Sequence, residues 1–318
     1  MSGGAVTAFA PGSVGNVGPG LDILGLAVAG DGDAVRAEWL TAPGLRLLDP
    51  GHPELPAEAE RHTAGLAARA VLARAGADAT GGRGIGLSVR KGLPLSGGQG
   101  GSAASAVAGA VAVNALLGEP LGRMELIEVC LDAEEAVAGR HADNIAPSLL
   151  GGIVLIRSMA PLDVVQLPVP AELHVVLARP EQRMRTAEAR AVLPRQVSRA
   201  VALHQAAQVG AMVAALALDD YALLARSVDD RIAEPARAGL LPGFLEAKAA
   251  ALAAGALGSS ISGSGPTAFA LARGRESAER IAAAMAAAYR AGGAECRVRV
   301  GPVDRTGATV TREAGGAR

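Results

Sequence analysis

A segment rich in glycine and serine, residues 92–105 (GLPLSGGQGGSAAS), leads directly into an alanine-rich stretch with helical character. Backbone N–H groups at the start of a helix lack partners within the helix, and together with the helix dipole they attract anions. Glycines allow the chain to wrap closely around a polyphosphate. The residues alone leave two interpretations open: a phosphate-binding loop, or a tight turn before a closely packed helix in a chain with 42 glycines.

This segment differs from the two best-known phosphate loops. A Walker A loop has a lysine after its last glycine, whereas Gly101 is followed here by Ser102. A dinucleotide-binding loop follows the first strand and precedes an acidic residue by about 20 positions. Here the loop lies well into the chain, and the corresponding region holds only Glu119, next to Pro120. Any phosphate site would therefore depend on the helix dipole, backbone N–H groups and serine hydroxyls.

A second stretch, residues 11–28 (PGSVGNVGPGLDILGLAV), places Asn16 and Asp22 in a turn rich in glycine and proline. An aspartate can pair with an ammonium group, and an asparagine can donate or accept a hydrogen bond beside it. Asn and Asp are also common turn residues because they tolerate positive φ. Binding and turn formation both explain this pattern.

A third stretch, residues 134–152, concentrates polar groups between a helix and a strand. His141, Asp143 and Asn144 follow closely after Glu134 and Glu135 in a largely apolar part of the chain. Loops held by a rigid scaffold often carry binding sites. The alternative is a capped loop, with Glu134 on a solvated helix face and the short polar side chains bonded to their own backbone.

Composition limits the class of protein. A chain of 318 residues usually forms about two domains, and its single Trp, two Tyr and three Phe leave a core of Ala, Val, Leu and Ile. The net charge of −1 gives no reason to expect a nucleic-acid or membrane surface. Cys130 and Cys296 are too few for a disulfide scaffold and lie in no metal-type spacing. With no signal-like N-terminus, we expect a soluble cytoplasmic protein.

Hydrophobic periodicity predicts alternating strands and helices. The predicted strands are residues 5–10, 84–89, 151–158, 174–180, two flanking 262–266, and 296–300. The predicted helices are residues 58–74, 102–117, 123–138, 195–218, 244–254 and 276–290. A proline-spaced stretch at 160–173 predicts a domain boundary. With its middle helices merged, the second half has the order β-α-β-β-α-β, which is typical of a ferredoxin-like (split βαβ) domain.

Six segments, in order, resemble signatures of the GHMP small-molecule kinase family, and the likeness spans roughly residues 5 to 310. They are residues 10–27 (APGSVGNVGPGLDILGLA), 92–105, 141–152 (HADNIAPSLLGG), 184–194, 231–244 and 260–271. The resemblance implies an α+β, two-domain GHMP kinase fold. Residues 1–160 would form the N-terminal phosphate-loop domain that binds ATP, and residues 161–318 the C-terminal ferredoxin-like domain.

The resemblance also implies an activity: transfer of the γ-phosphate of ATP, with Mg²⁺, to the hydroxyl of a small molecule. The HADN segment and the Asn16/Asp22 turn resemble the corresponding segments of those family members that act on L-homoserine in threonine biosynthesis. The family further implies a cytoplasmic homodimer that binds neither nucleic acid nor membrane. The alternatives are another GHMP kinase with a different acceptor, or a non-catalytic ligand-binding protein of the same fold.

By this resemblance, nucleotide binding falls to the phosphate loop and to His62, which stands where relatives often have an asparagine near the nucleobase. The loop residues are Pro94, Leu95, Ser96, Gly97, Gly98, Gln99, Gly100, Gly101, Ser102, Ala103 and Ala104. The oxygens of Ser102 and Glu134 would hold Mg²⁺, although Glu135 is an alternative ligand.

The substrate residues implied by the resemblance are Asn16, Asp22, His141, Asp143, Asn144, Thr186, Arg190, Arg237 and Gly263. Asn16 and Asp22 would hold the ammonium group, and Arg190 and Arg237 the carboxylate. Without the motif, both arginines would be interpreted as surface salt bridges. Thr186 would lie one helical turn from Arg190 if that stretch is helical.

The implied catalytic residues are Asn144, Arg190, Ser102 and Glu134, with Asn144 near the reacting hydroxyl. Other family members have an aspartate base at this position, and an amide cannot accept a proton. The hydroxyl proton would therefore pass to the phosphate or to water. Gln99 and Gly101 also depart from the family pattern, where Leu and Ser are usual, and Gly101 removes one hydroxyl contact to phosphate.

Overall fold

The computed structural model describes residues 4–136 and 139–313 and contains a seven-stranded and a four-stranded sheet. The strands are β1 (Val6–Gly15), β2 (Leu24–Leu40), β3 (Gly44–Asp49), β4 (Gly84–Arg90), β5 (Ile153–Met159), β6 (Leu162–Leu167), β7 (Leu173–Pro180), β8 (Gly258–Ile261), β9 (Ala268–Arg273), β10 (Cys296–Pro302) and β11 (Thr309–Arg312). The larger sheet has the order β11-β1-β2-β4-β3, and the antiparallel pair β5-β6 joins it through β2.

The helices are α1 (Thr63–Ala75), α2 (Gly101–Leu116), α3 (Arg123–Glu135), α4 (Ala142–Leu150), α5 (Thr186–Ala191), α6 (Arg199–Leu218), α7 (Tyr221–Ser227), α8 (Ala233–Arg237), α9 (Phe244–Ala253) and α10 (Arg275–Ala291). The first four cover one face of the larger sheet, where alanine and valine make up most of the core. Helix α2 is buried almost all round, so its small side chains allow the close packing that its sequence implied.

The smaller sheet has the strand order β10-β7-β9-β8, with every neighbouring pair antiparallel. This confirms the predicted ferredoxin-like arrangement and the mixed α/β, two-domain fold. Strand β7 shows the period of two expected for a sheet buried on both faces. Val176 faces helices α9 and α10, whereas Val175 and Leu177 face the larger sheet and α6.

The structure adds elements that periodicity did not predict. Residues 24–40 form one long strand, β2, and residues 142–150, which the pattern placed in a loop, form the short helix α4. Strands β3, β6 and β11 and the short helices α5, α7 and α8 were also not predicted. The predicted end of α3 at Ala138 lies outside the described residues, which show the helix to Glu135.

Two strands after residue 160 pair within the larger sheet. Strand β6 pairs with β5, and β11 near the C-terminus pairs with β1. The division of the chain at residue 160 stays a prediction, since it concerns domain limits rather than strand pairing. The termini of the two predicted domains, residues 1–3 and 314–318, lie outside the described residues.

Candidate functional site

One cavity of about 600 Å³ lies where the two halves of the molecule meet. Its volume is within the range typical of small-molecule sites. Its wall combines the glycine-rich loop and the start of α2 with the start of α4, the segment that begins α5, Arg237 of α8 and Gly263. The fold therefore brings together segments that are far apart in the sequence.

The glycine-rich loop turns its carbonyl groups inward. Five successive carbonyls accept hydrogen bonds from the protein: Ser96 from Met184 N, Gly97 from Thr267 Oγ1, Gly98 from Ser262 Oγ, Gln99 from Ser13 N and Gly100 from Ala104 N, at 2.6–3.4 Å. Within the described chain, no acceptor pairs with the backbone N–H groups of residues 95–103. Unpaired N–H groups at a helix start form an anion site, so the loop is suited to phosphate.

Positive φ and close approach explain the glycines of this loop. Gly98 has φ +70°, and a Cβ there would lie 2.6 Å from the Gly265 carbonyl oxygen. Gly100, with φ +67°, precedes α2, and a Cβ there would lie 2.1 Å from Ser13 Oγ. Side chains at either position would collide with the segments that hold the loop, and the left-handed conformation would add strain.

A buried ion pair between Lys91 and Asp33 holds the backbone of the glycine-rich loop in place. Lys91 Nζ donates to the Asp33 carboxylate, to the Gly101 carbonyl at 3.0 Å and to Ser105 Oγ at 2.9 Å. The other oxygen of Asp33 accepts from the backbone N–H groups of Gly92 and Leu93. All three ammonium hydrogens of Lys91 thus have partners, and the charge is compensated as a buried charge must be. The motif analysis did not identify Lys91, although it is one of only two lysines in the chain.

Ser102 and Glu134 meet at the start of α2. Ser102 Oγ donates to Glu134 Oε2 at 2.6 Å. Burial raises the pKa of Glu134, while the Ser102 hydroxyl and the Lys91 charge lower it. Glu135 is exposed, and its carboxylate accepts from Arg140 at 3.3 Å outside the cavity. Of the two candidate carboxylates, only Glu134 lines the cavity.

The side chain of Asn16 joins the two ends of the turn between β1 and β2 and also connects this turn to Gly263. Its amide accepts from the Asp22 N–H at 2.8 Å and donates to the Gly263 carbonyl at 3.1 Å. Asn16 and Asp22 both have positive φ, at 55° and 61°. The turn-forming and site-forming interpretations of these residues are therefore compatible, since the turn itself lies at the cavity.

The HADN segment begins α4, where His141 is the N-cap position. Asp143 is buried and accepts from the Asn16 N–H at 2.9 Å. Burial and the nearby Asp22 carboxylate together raise the pKa of Asp143 to about 7. Asn144 Oδ1 accepts from Ser13 Oγ at 3.0 Å, which directs the amide nitrogen of Asn144 away from Ser13. Ser13 was not identified from the sequence.

Asp22 and Arg190 form a two-bonded ion pair. Arg190 Nη2 lies 2.7 Å from Asp22 Oδ1, and Nη1 lies 3.3 Å from Oδ2. His141 Nδ1 lies 3.4 Å from the same carboxylate. Burial raises the pKa of Asp22, but Arg190, His141 and Arg237 together outweigh burial, and the net pKa lies below its usual value. Asp22, expected to bind a substrate ammonium group, and Arg190, expected to bind a substrate carboxylate, are thus adjacent.

Arg237 is 2% exposed, and it donates to the carbonyls of Ala189 and Gly263, both at 3.0 Å. Burial and the neighbouring Arg190 lower the pKa of Arg237, while Asp22, Asp230 and Asp143 raise it. Arg237 is therefore a fixed cation in the cavity wall and not a surface salt bridge. Thr186 opens α5, one turn before Arg190, and both side chains line the cavity.

His62 is buried at the N-terminus of α1. Its Nδ1 accepts from the Ala64 N–H at 3.1 Å, and its buried Nε2 has no partner in the described chain. Burial lowers the pKa of His62, which favours the neutral ring. With Nδ1 accepting, the neutral ring carries its proton on the buried Nε2, on the side of the Pro50 backbone.

Three predicted site residues are not on the cavity wall: Asp22, Gln99 and Ala104. Asp22 lies beside the wall, where its side chain is 34% exposed and pairs with Arg190. Gln99 is buried and donates to Thr267 Oγ1 at 3.2 Å, so it supports the loop from inside. Ala104 is buried in the core against which α2 packs. The remaining predicted residues line the cavity.

The arrangement combines an anion-binding loop, a carboxylate–hydroxyl pair and a cluster of one acid with two arginines. Within the described residues, no group of three His, Cys, Asp or Glu side chains has the geometry of a metal site. A divalent cation would therefore depend on Ser102, Glu134 and the oxygens of a bound anion. Such a set of few protein oxygens suits Mg²⁺, which retains water and phosphate ligands.

Comparison with known proteins extends this description to the whole chain. The family model for the GHMP kinases N terminal domain matches residues 62–152, and that for the GHMP kinases C terminal matches residues 212–291. The chain is 42% identical over 296 residues to a protein of Chlorobium phaeobacteroides (strain BS1) named homoserine kinase, covering 89% of this chain and 92% of that protein. A protein of the same name from Xylella fastidiosa (strain M12) is 39% identical, with 95% and 92% coverage.

Solved structures agree with these matches. A crystal structure of homoserine kinase from Cytophaga hutchinsonii superposes with a TM-score of 0.92 at 41% identity, covering 96% of this chain and 97% of that one. A mevalonate kinase of L. major shares the fold, with a TM-score of 0.68 at 19% identity. The likeness therefore covers both sheets and the cavity between them.

Proposed function

The chain belongs to the GHMP kinase family, and from this premise we propose that it is a homoserine kinase. The reaction transfers the γ-phosphoryl group of ATP to the side-chain hydroxyl of L-homoserine, giving O-phospho-L-homoserine and ADP in threonine biosynthesis. The observation that carries the proposal is the two-bonded Asp22–Arg190 pair next to buried Arg237. An α-amino acid has its ammonium and carboxylate on one carbon, so the groups that bind them must be adjacent.

Recognition of the amino-acid head then follows from charge. The Asp22 carboxylate, whose pKa is lowered, offers a full negative charge to the ammonium group. Arg190 and Arg237 offer planar donors to the carboxylate. An uncharged alcohol would leave this charged cluster without partners, which argues against a simple alcohol as acceptor.

The triphosphate lies along the unpaired N–H groups of residues 95–103 in this proposal. The N-terminus of the 16-residue helix α2 adds its dipole. Ser102 and Glu134 would hold Mg²⁺, which would neutralise charge on the phosphates. The nucleobase lies near His62 in this proposal, the position at which relatives often have an asparagine. ATP is the nucleotide that the family implies.

Catalysis requires positioning and neutralisation of charge more than covalent chemistry. Asn144 lies between the loop and the substrate cluster, with its Oδ1 occupied by Ser13. The amide can orient the acceptor hydroxyl but cannot take its proton. The hydroxyl oxygen bonds to the γ-phosphorus as the bond to ADP breaks, and its proton passes to the phosphate or to water.

We further propose a cytoplasmic homodimer. Helix α6 is apolar enough and long enough to cross a membrane, with a mean hydropathy of 1.5, yet only 22% of it is buried. Leu203, at 64% exposed, and the small residues Ala206, Ala207 and Gly210 lie along its outer face. Burial of this face against a second copy would remove the apolar surface from water. The predictions that neither membrane nor nucleic acid is bound stay predictions.

The test is release of ADP by purified protein with Mg-ATP and one acceptor at a time: L-homoserine, L-serine, mevalonate or a panel of small alcohols. Release that requires L-homoserine supports the proposal, and the phosphorylated product is then identified by mass spectrometry. Release with another acceptor would make the chain a different GHMP kinase. ATP binding without turnover on any acceptor would instead favour a non-catalytic ligand-binding protein.

A further inference from the structure

A buried glutamine outside the cavity connects the two walls that would grip the substrate. Gln205, on α6, is 8% exposed. Its Nε2 donates to the Pro19 carbonyl and to Asp230 Oδ1, both at 2.8 Å, and its Oε1 accepts from the Arg231 N–H at 3.2 Å. One side chain thus makes hydrogen bonds to three groups from two segments that are about 200 positions apart in the sequence.

The first of these segments is the turn that carries Asn16 and Asp22. Pro19 lies between these two residues, and the turn is buried as far as Gly20. A Cβ on Gly18, which has φ +55°, would lie 3.1 Å from Val228 and 3.4 Å from Met212, so the turn packs closely on α6 and on the end of α7. The Gln205 bond to the Pro19 carbonyl therefore acts on the turn that carries Asp22, three residues further along the chain.

The second segment is the start of α8. Asp230 is 7% exposed, and its carboxylate accepts from the N–H groups of Ile232, Ala233 and Glu234 at 2.8–3.1 Å. These bonds satisfy the donors at the helix start. Helix α8 ends at Arg237, which enters the cavity, and the Asp230 charge also favours the charged form of Arg237.

We propose that Gln205 is a positioning residue for the amino-acid substrate, holding the Asp22 turn and the Arg237 helix at a fixed separation. The inference rests on the proposed function, because the distance between an acid and an arginine matters most for an acceptor with both charges. Gln205 does not line the cavity and would touch neither substrate nor nucleotide. Its amide spans the two walls, and no apolar side chain can replace both bonds.

The experiment compares the wild type with Gln205→Met, which keeps the side-chain length but removes all three hydrogen bonds. We expect the KM for L-homoserine to rise at least tenfold, while the KM for ATP stays within twofold of the wild type. Gln208→Met is the matched control, since Gln208 lies one turn further along α6 and the structure gives it no hydrogen bond to a described residue. This control should match the wild type in both constants.

Gln205→Asn serves as a second variant in case the methionine does not fold. It retains an amide, but the side chain is one methylene too short to reach both Pro19 and Asp230, so the KM for L-homoserine should again rise selectively. Equal increases in both KM values, or an unchanged KM for L-homoserine in a folded variant, would overturn the positioning role. Absence of L-homoserine phosphorylation by the wild type would refute the proposed function itself, which separates the two failures.

Discussion

Glu134 and Glu135 are neighbours in the chain, but they have opposite surroundings. Glu134 lines the cavity and accepts from Ser102 Oγ at 2.6 Å, whereas Glu135 is exposed and pairs with Arg140. The difference arises because helix α3 turns successive residues by about 100°. At the scale of one residue, chemistry is thus determined by which side of a helix faces the cavity.

The first prediction separates these two carboxylates. Glu134→Gln should raise the Mg²⁺ concentration for half-maximal turnover at least tenfold, about 1.4 kcal/mol, because a neutral amide is a poor ligand for Mg²⁺. The measurement is a Mg²⁺ titration of ADP release at saturating substrates. Glu135→Gln is the control and should leave the titration unchanged. A shift in the control alone would move the metal ligand to Glu135.

A second prediction concerns Asp143, whose pKa is raised from its ordinary value of 3.8 to about 7 by burial and by the nearby Asp22 carboxylate. Between these values the folded protein holds a proton that the unfolded chain releases, so stability falls as pH rises across this window, by a few kcal/mol at most. The amide side chain introduced by Asp143→Asn does not titrate, so the free energy of unfolding of this variant should fall less between pH 4 and pH 7 than that of the wild type. Urea unfolding at several pH values checks this.

The control for Asp143 is Asp78→Asn, on an exposed turn, which should keep the pH dependence of the wild type. If the curves of free energy of unfolding against pH for Asp143→Asn and the wild type ran parallel, the Asp143 carboxyl would be ionised in the folded protein. Its acceptance of the Asn16 N–H would then be a charged hydrogen bond.

At the scale of elements, the loop before α2 presents backbone groups rather than charged side chains to the cavity. Its carbonyl groups are bonded to the protein and its N–H groups are unpaired within the described chain, which suits residues 95–103 to the proposed anion site without a lysine in the loop. The residues that hold this backbone come from elsewhere: Ser13 from β1, and Ser262 and Thr267 from the segment between β8 and β9. A change in the loop therefore affects both the site and the contact between the two sheets.

The third prediction is that Gly98→Ala weakens nucleotide binding at least tenfold and lowers the free energy of unfolding by about 1–3 kcal/mol. The new Cβ would lie 2.6 Å from the Gly265 carbonyl oxygen, and φ is +70°. Titration with a fluorescent ATP analogue and urea unfolding measure the two effects.

Gly118→Ala provides the comparison for Gly98→Ala. Gly118 also has positive φ, +86°, but its side chain would meet nothing within 4 Å. This variant should show the cost of the backbone conformation alone, about 1 kcal/mol, with nucleotide affinity unchanged. Equal loss of affinity in the two variants would mean that the loop does not bind phosphate.

At the scale of the whole molecule, one apolar layer joins the two halves. Val14, Leu24 and Leu26 of the larger sheet pack with Val175 and Phe269 of the smaller sheet in a single core that also contains residues of α6 and α7. The cavity lies where this layer ends, so its opposite walls are carried by different sheets. Helix α6 contributes to this core with one side and exposes an apolar face on the other.

The fourth prediction tests the exposed face of α6. The wild type should elute with twice the mass of the chain in size-exclusion chromatography with light scattering, and Leu203→Glu should give the monomer mass, because a charge cannot be buried unpaired in an apolar interface. Leu48→Glu is the control, since Leu48 is 48% exposed on strand β3. A wild type that is monomeric at all concentrations, or a dimeric Leu203→Glu, would place the interface elsewhere or remove it.

Short motifs and periodicity, which act over a few neighbouring residues, predicted the glycine-rich loop before α2 and the ferredoxin-like order of the second half. Arg190, Arg237 and His62, which line the cavity, were identified only through the resemblance to the GHMP kinases. Helix α4 was not predicted because it has nine residues, including Pro147, and depends on the burial of Ile145, Ala146 and Leu149 for its stability.

The tertiary structure alone decided which of these residues meet and what supports them. Asp22 pairs with Arg190 across 168 positions of the chain, and Ser13 with Asn144 across 131. Lys91 and Gln205 carry no motif, and they became visible only through their buried hydrogen bonds. The reason is physical: a buried polar group needs a partner, and the partner is supplied by whichever segment the fold places beside it.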